Sequence, residues 1–305
     1  MKEKRKHIVV IAHDAGAAEV LAAYVRKHAD RSRFVSYVAG PAARIWRREH
    51  LSFFRISSSP VRIRRLVREH KDASLMLMGT GWMTHIESDA LAEAKKQHIR
   101  TAVYLESWSR YRERFGYPHA GWRKKLPDEI WVGDKYAEKI SLRQFPKSVK
   151  VRFVPNEYFA TTVRKYRTQH SRKKPDSILF LSSIDNATQP VFVALLRSME
   201  QKRGSRVRIR FHPADDRTRF DGIIKRYQRV TVEKSHDQDI TKDLLRASIV
   251  IGTETTAMAV AALAGIQVVS LLPMGVRSTL PFSGIIRTKS PKVAVRLLAK
   301  HVRDR

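Results

Sequence analysis

The chain has 305 residues, 43% hydrophobic and 29% charged, which excludes a disordered or fibrous chain and leaves room for two domains. It contains no cysteine, which excludes disulfides, thiolate zinc sites and cysteine nucleophiles and fits a reducing compartment. The net charge of +31, from 60 Lys and Arg against 29 Asp and Glu, favours polyanionic partners: nucleic acid, anionic lipid headgroups or an acidic polymer.

Apolar runs alternate with helical patterns along the chain, as parallel α/β folds require. "HIVVIA" reads as a first strand and "AAEVLAAYVRKHA" as its helix. "RFVSYVAG" is a second strand, followed by "PAARIWRREH". "SLMLMGT" is a third strand with "HIESDALAEAKKQH" as its helix. "RTAVYLES" and "EIWVGD" are strands, "KYAEKISLRQF" is a helix, and "KVRFVPN" closes this half. The polar, basic segment "EYFATTVRKYRTQHSRKKPDS" then reads as a connection between domains.

The α/β pattern restarts with the strand "SILFLSS", the helix "TQPVFVALLRSMEQKRG" and the strand "RVRIRFHP". "RTRFDGIIKRYQ" is a helix, "VTVEK" a short strand and "DITKDLLRAS" a helix. "IVIGT", "TTAMAVAALAG" and "QVVSLLP" follow as strand, helix and strand, and "SPKVAVRLLAKHVRDR" is an amphipathic basic helix. The expected architecture is α/β, with two Rossmann-like domains facing across a cleft in the manner of GT-B folds. The boundaries are 1–155 for an acceptor-side domain, 156–176 for a linker, 177–290 for a nucleotide-sugar domain and 291–305 for the C-terminal helix.

The first apolar run is too short for a signal-peptide core, and Ala257 to Pro273 is too short to span a bilayer. A cytoplasmic protein is expected, with peripheral contact at the inner membrane face as one use of its charge. The basic residues are spread along the chain rather than gathered in one tail.

Ligands of doubly wound sheets bind outside the carboxyl ends of the strands, so residues just after strands carry the information. In the second half these are Ser182 and Ser183, His212, and the run Thr253, Glu254, Thr255, Thr256 after Gly252. Thr253 or Thr255 can cap a helix made almost entirely of Ala, Val, Leu and Met. The free N–H groups and positive dipole end of that helix attract an anion. An ordinary N-cap on a buried helix would use the same residues.

"HP" after one strand and "GTETT" after a later one, followed by "ALAGIQVVSLLP", resemble the nucleotide-sugar half of GT-B glycosyltransferases. The similarity is to bacterial surface-polysaccharide enzymes: the sialyltransferase and polysialyltransferase groups, and glycerophosphotransferases with a His-Pro motif. "GTGW", "YRERF" and "PDEIWVGD" in the first half resemble such proteins more loosely. The resemblance implies that His212 contacts a donor phosphate or base, that Thr255 and Thr256 hold phosphates, and that Glu254 holds a ribose or sugar hydroxyl. It implies that Ser182 and Ser183 line the phosphate site. The acidic motif of the sialyltransferase group is absent, and "HDAG" stands near its place.

In the first half, His13 and Asp14 follow the first strand, and Asp14 is a candidate general base on an acceptor hydroxyl unless it caps the next helix. His13 could tune or replace it, and Glu106 is a second candidate. "GTGWMTHIE" adds Trp82, a candidate stacking residue, with His85 and Glu87. "ESWSRYRERFG" offers Arg110 and Arg112 for an anionic acceptor. Asp128 and Glu129 precede a strand and lie away from such a site, while Asp134 follows the strand and fits a helix cap. No His pair has metal-ligand spacing, so no metal and no cofactor beyond the nucleotide-sugar co-substrate are expected.

The leading expectation is a metal-independent glycosyltransferase that moves a sugar from a nucleotide-activated donor to an anionic glycan or lipid-linked acceptor. The alternatives are a sugar-nucleotide epimerase of the same architecture and a non-catalytic polyanion or nucleic-acid binder.

Overall fold

The structure, a computed structural model, describes residues 5–170, 177–200, 206–213, 215–235, 239–293 and 296–297. Contacts divide the chain into a unit of Met1–Tyr158 and a unit of Phe159–Arg305.

The N-terminal unit begins with β1 (Lys6–Ala12), α1 (Ala15–His28), β2 (Ser32–Val38) and α2 (Gly40–Arg48). β3 (Phe54–Arg55), α3 (Pro60–Glu69), β4 (Leu75–Met78) and α4 (Ile86–Lys96) follow. β5 (Thr101–Leu105), β6 (Glu129–Val132), α5 (Lys135–Gln144) and β7 (Lys150–Phe153) complete it. All seven strands are parallel, in the order β3-β2-β1-β4-β5-β6-β7. The central strands are apolar on both faces because helices cover both, as parallel sheets demand: every residue of β4 and β5 is buried. α1 presents Ala18, Leu21, Ala22 and Val25 to a core shared with Val10, Leu77 and Trp46. The strand order reverses between β1 and β4, which opens a crevice beyond their carboxyl ends.

α6 (Glu157–Gln169) runs from the first unit into the second. The C-terminal unit then has β8 (Ser177–Leu181), α7 (Thr188–Met199), β9 (Arg206–Arg210), α8 (Asp221–Arg226) and β10 (Thr231–Lys234). α9 (Ile240–Arg246), β11 (Ala247–Gly252), α10 (Thr256–Leu263), β12 (Val268–Leu271) and β13 (Ile285–Thr288) complete it. Its six strands are also all parallel, in the order β10-β9-β8-β11-β12-β13, with the reversal between β8 and β11. A separate core of Phe180, Phe192, Leu195, Phe220 and Ile251 fills it. Each unit is thus a Rossmann-like layer structure of the expected class.

The structure adds several elements to those expected. The expected connection 156–176 carries a helix that the sequence pattern did not show, Glu157–Gln169; residues 171–176 lie outside the described residues. α3 was hidden among its arginines, although Ile63, Leu66 and Val67 lie buried at helical spacing and Pro60 starts it. The two-residue β3 and the edge strand β13 also escaped the sequence pattern. Most of the C-terminal helix expected over 291–305 lies outside the described residues. Among the described residues no helix is long and apolar enough to cross a membrane.

Candidate functional site

The crevice of the N-terminal unit gathers side chains from three strand ends and one helix. His13 and Asp14 leave β1. Asp14 occupies the N-cap position of α1, yet its side chain makes no cap hydrogen bond. Its carboxylate instead meets the His13 ring, Nδ1 to Oδ1 at 2.8 Å, and accepts the Trp82 main-chain N–H at 2.8 Å. With Asp14 ionised, Nδ1 of a neutral ring carries the proton and Nε2 is left as the acceptor. Gly40, at φ +50°, gives that ring its space: a Cβ there would lie 2.5 Å from Nε2.

Glu87, in the first turn of α4, reaches the same place. Its Oε1 accepts the His13 main-chain N–H at 2.8 Å, while its buried Oε2 has no partner. Desolvation by burial pushes its pKa up to about 7, and the nearby Asp14 charge adds to the rise. The His13 N–H bond opposes it. The glycines of β4's end make this convergence fit. A Cβ at Gly79 would lie 2.6 Å from Ala17 Cβ, and one at Gly81 would lie 3.0 Å from Glu87 Oε2 and 3.3 Å from Asp14 Cγ. Glu87 stood in the "GTGWMTHIE" stretch, but the sequence reading gave it no role. The sign available was an acidic residue among the apolar positions of a helix.

Glu106, at the end of β5, is held differently. Arg114 Nη1 donates to both its oxygens, at 3.0 and 3.1 Å, and Arg114 Nη2 donates to Ser107 Oγ at 2.6 Å. Arg114 Nη1 also donates to Thr80 Oγ1. The pair is largely buried. A carboxylate clamped in this way by a guanidinium holds that arginine in place. Arg114 also lies 5.7 Å from the Trp82 ring centroid, and Trp82 is 50% exposed. Arg110 and Arg112 do not join this constellation. Arg110 is exposed with left-handed backbone, and Arg112 stacks over Tyr117 at 4.1 Å. The arginine of that stretch that reaches the site is Arg114.

A pocket of about 760 Å³ lies along α4, and Thr80, Trp82, Thr84, Glu87 and Arg114 are among its walls. Asp128 and Glu129 sit at the opposite, amino ends of the strands. Asp128 accepts from Thr101, and Glu129 pairs with Arg100 and Arg152. Asp134 caps α5 through Tyr136 N–H and Ala137 N–H. Among the described residues no group of three or more His, Asp or Glu side chains could hold a metal ion.

In the C-terminal unit the strand ends after β8, β9 and β11 bring the expected residues near the sheet reversal. Ser182 Oγ donates to Asp215 at 3.1 Å and accepts the His212 N–H at 2.9 Å. Ser183 Oγ donates to Asp185 at 2.6 Å. Both serine hydroxyls therefore have protein partners. Thr255 is the N-cap residue of α10 and Thr256 its first residue, but Thr255 makes no side-chain cap bond. The buried hydroxyls of Thr253 and Thr255 lack partners. Glu254, for which the sequence resemblance implies a ribose or sugar-hydroxyl contact, is held by protein donors. Its two oxygens accept from Ser270 Oγ, Ser278 Oγ, Thr279 N, Thr279 Oγ1 and Leu280 N, so this carboxylate anchors the segment after β12.

No protein-family model and no curated protein matches the chain. Solved structures do. The UDP-GlcNAc 2-epimerase from Neisseria meningitidis, solved with UDP-GlcNAc bound, matches with a TM-score of 0.72 at 11% identity over 97% of this chain and 92% of that one. The UDP-GlcNAc 2-epimerase from Methanocaldococcus jannaschii matches with a TM-score of 0.63 at 12% identity, over 96% of this chain and 99% of that one. MurG from Acinetobacter baumannii matches with a TM-score of 0.56 at 12% identity, over 97% and 90%. The chain has the GT-B-like fold of these nucleotide-sugar proteins. The glycosyl transfer expected from the sequence does not stand, because epimerases share the fold over the whole chain with the higher TM-scores. These three structures do not single out the sialyltransferase groups.

Proposed function

We propose that the chain is an epimerase acting on a nucleotide-activated sugar. Epimerisation needs one group to take a proton from a carbon and one to return a proton to it. Such groups work best with pKa values near the operating pH. The observation that carries the reading is the convergence of Glu87, whose pKa lies at about 7, with the His13–Asp14 pair. Both are titratable, and the main-chain bond from His13 to Glu87 holds them in register. The fold shared with UDP-GlcNAc 2-epimerases supports this chemistry over the alternatives.

The nucleotide is assigned to the carboxyl ends of β8, β9 and β11. The unpartnered Thr253 and Thr255 hydroxyls and the N-terminus of α10 would receive its phosphates there, with His212 alongside. The nucleotide-sugar is the substrate, and the reading assigns no resident cofactor and no acceptor.

The test is incubation with UDP-GlcNAc, and with a panel of CMP-, CDP-, GDP- and dTDP-sugars, in D2O. Deuterium entering one ring carbon with inversion there, read by NMR, is the expected result. Absence of exchange and product with every sugar nucleotide would overturn it. One observation favours a second reading: the net charge of +31 suits a polyanion binder. That reading would take over if DNA, heparin and nucleotides all shifted the melting temperature equally.

A further inference from the structure

The pocket beside Glu87 is larger and more basic than proton transfer alone requires. Its volume of about 760 Å³, lined by residues of the N-terminal unit, suits a whole small molecule. Three residues on its walls keep a buried polar atom without a hydrogen-bond partner: Thr84 Oγ1, Glu87 Oε2 and Arg114 Nε. Folded proteins pair nearly all such atoms, so three around one pocket mark capacity that a ligand would satisfy. The set contains a hydroxyl, a carboxyl oxygen and an N–H donor, which together match the hydroxyls of a sugar. Trp82, half-exposed on the same wall, offers an apolar face.

The charge of the walls narrows the ligand further. Lys95, Lys96, Lys124 and Lys125 line the pocket with Arg114, against Asp89, Glu113 and Glu87. Arg114 is spent on Glu106, and Lys95 Nζ donates to the Leu126 carbonyl at 2.5 Å. Lys124 and Lys125 are exposed and make no ion pair among the described residues. Both ammonium groups are therefore open to a negatively charged group on a ligand.

We infer that the pocket binds an anionic monosaccharide, with its phosphate or carboxylate held by Lys124 and Lys125 and its hydroxyls met by Glu87 and Thr84. The inference rests on the proposed function for one point, that Glu87 is the group facing the sugar. It adds that the sugar carries its own negative charge.

Isothermal titration of the full chain at about 0.15 M salt, where long-range surface attraction is screened, tests this. The probes are glucose 6-phosphate, glucuronate, glucose and inorganic phosphate, with UDP as a separate titrant. Charge-assisted hydrogen bonds predict that at least one anionic sugar binds about tenfold more tightly than glucose. The Lys124→Ala/Lys125→Ala double variant should lose that margin with UDP affinity unchanged, and its exposed positions leave folding intact. Preference for glucose 6-phosphate identifies a phosphate group, and preference for glucuronate identifies a carboxylate. Equal affinity for glucose, binding unaffected by the double variant, or inorganic phosphate binding as tightly as the sugars would overturn the inference. If UDP binds and no sugar does, the inference falls and the proposed function stands. If anionic sugars bind through Lys124 and Lys125 but no nucleotide or nucleotide-sugar does, the proposed function falls and the pocket assignment stands.

Discussion

The main-chain N–H of His13 donates to Glu87 Oε1 at 2.8 Å, although 74 positions separate the two residues. This bond joins the turn after β1 to the start of α4. It brings a buried carboxyl group to the imidazole–carboxylate pair of His13 and Asp14.

Glu87 should make stability pH-dependent in a defined direction. Its folded pKa, at about 7, lies above its ordinary value of 4.5. The folded state therefore binds the extra proton between these values. The stabilising contribution is complete below about pH 4.5 and lost as pH rises through 7. Glu87→Gln keeps an acceptor for His13 N–H and removes the charge. The variant should exceed the parent by on the order of 1–3 kcal/mol above pH 8, with the gap closing towards pH 4.5. Urea unfolding at several pH values measures this. A gap independent of pH would mean that Glu87 ionises at its ordinary value.

Asp14→Asn should reduce turnover with the fold intact. The carboxylate fixes the proton on His13 Nδ1 and accepts from Trp82 N–H rather than capping α1. Loss of a proton-transfer group costs about 10²- to 10⁴-fold. Solvent-deuterium exchange into the sugar substrate, with circular dichroism as the control for folding, measures it. A variant with full exchange activity would remove Asp14 from the mechanism.

Glu254→Ala should loosen the segment after β12. Five donors lose their common acceptor, among them the main-chain N–H groups of Thr279 and Leu280. The expected cost is about 1–3 kcal/mol. Hydrogen exchange at Thr279 and Leu280 should accelerate. Unchanged exchange with weakened UDP binding would instead support the ribose contact implied by the sequence resemblance.

Gly79→Ala should destabilise by about 1–3 kcal/mol, because the new methyl would stand 2.6 Å from Ala17 Cβ on α1. Gly81→Ala should spare the core. Its methyl would instead press on Glu87 Oε2 and Asp14 Cγ, so it should impair activity more than stability. Thermal melting set beside exchange activity separates the two effects.

Much of this protein was legible one segment at a time. Strands such as Leu75–Met78 and Thr101–Leu105 are short apolar runs between turn residues, and a parallel sheet needs such runs because it is buried on both faces. Strand-end positions follow from the same pattern, which is why His13, Asp14 and Thr255 could be picked out. The two-unit α/β class follows from the restart of the alternation after Gln169. α3 was missed because the spacing of Ile63, Leu66 and Val67 is diluted by arginines that point to solvent. α6 was missed because its 13 residues bury only Phe159 and Thr162, so its sequence carries little apolar signal.

The sequence by itself determined the order of elements, the excess positive charge and the residue types placed at strand ends, because these depend on local periodicity and composition. Only the tertiary structure decided what those residues do. Glu87 gains its raised pKa from burial beside a turn 74 positions away. Glu106 is neutralised by Arg114 and Glu254 is filled by the segment from Ser270 to Leu280. Asp14 leaves its helix to hold an imidazole. A carboxylate's role depends on its desolvation and its partners, and both are set by which distant segments the sheet brings together.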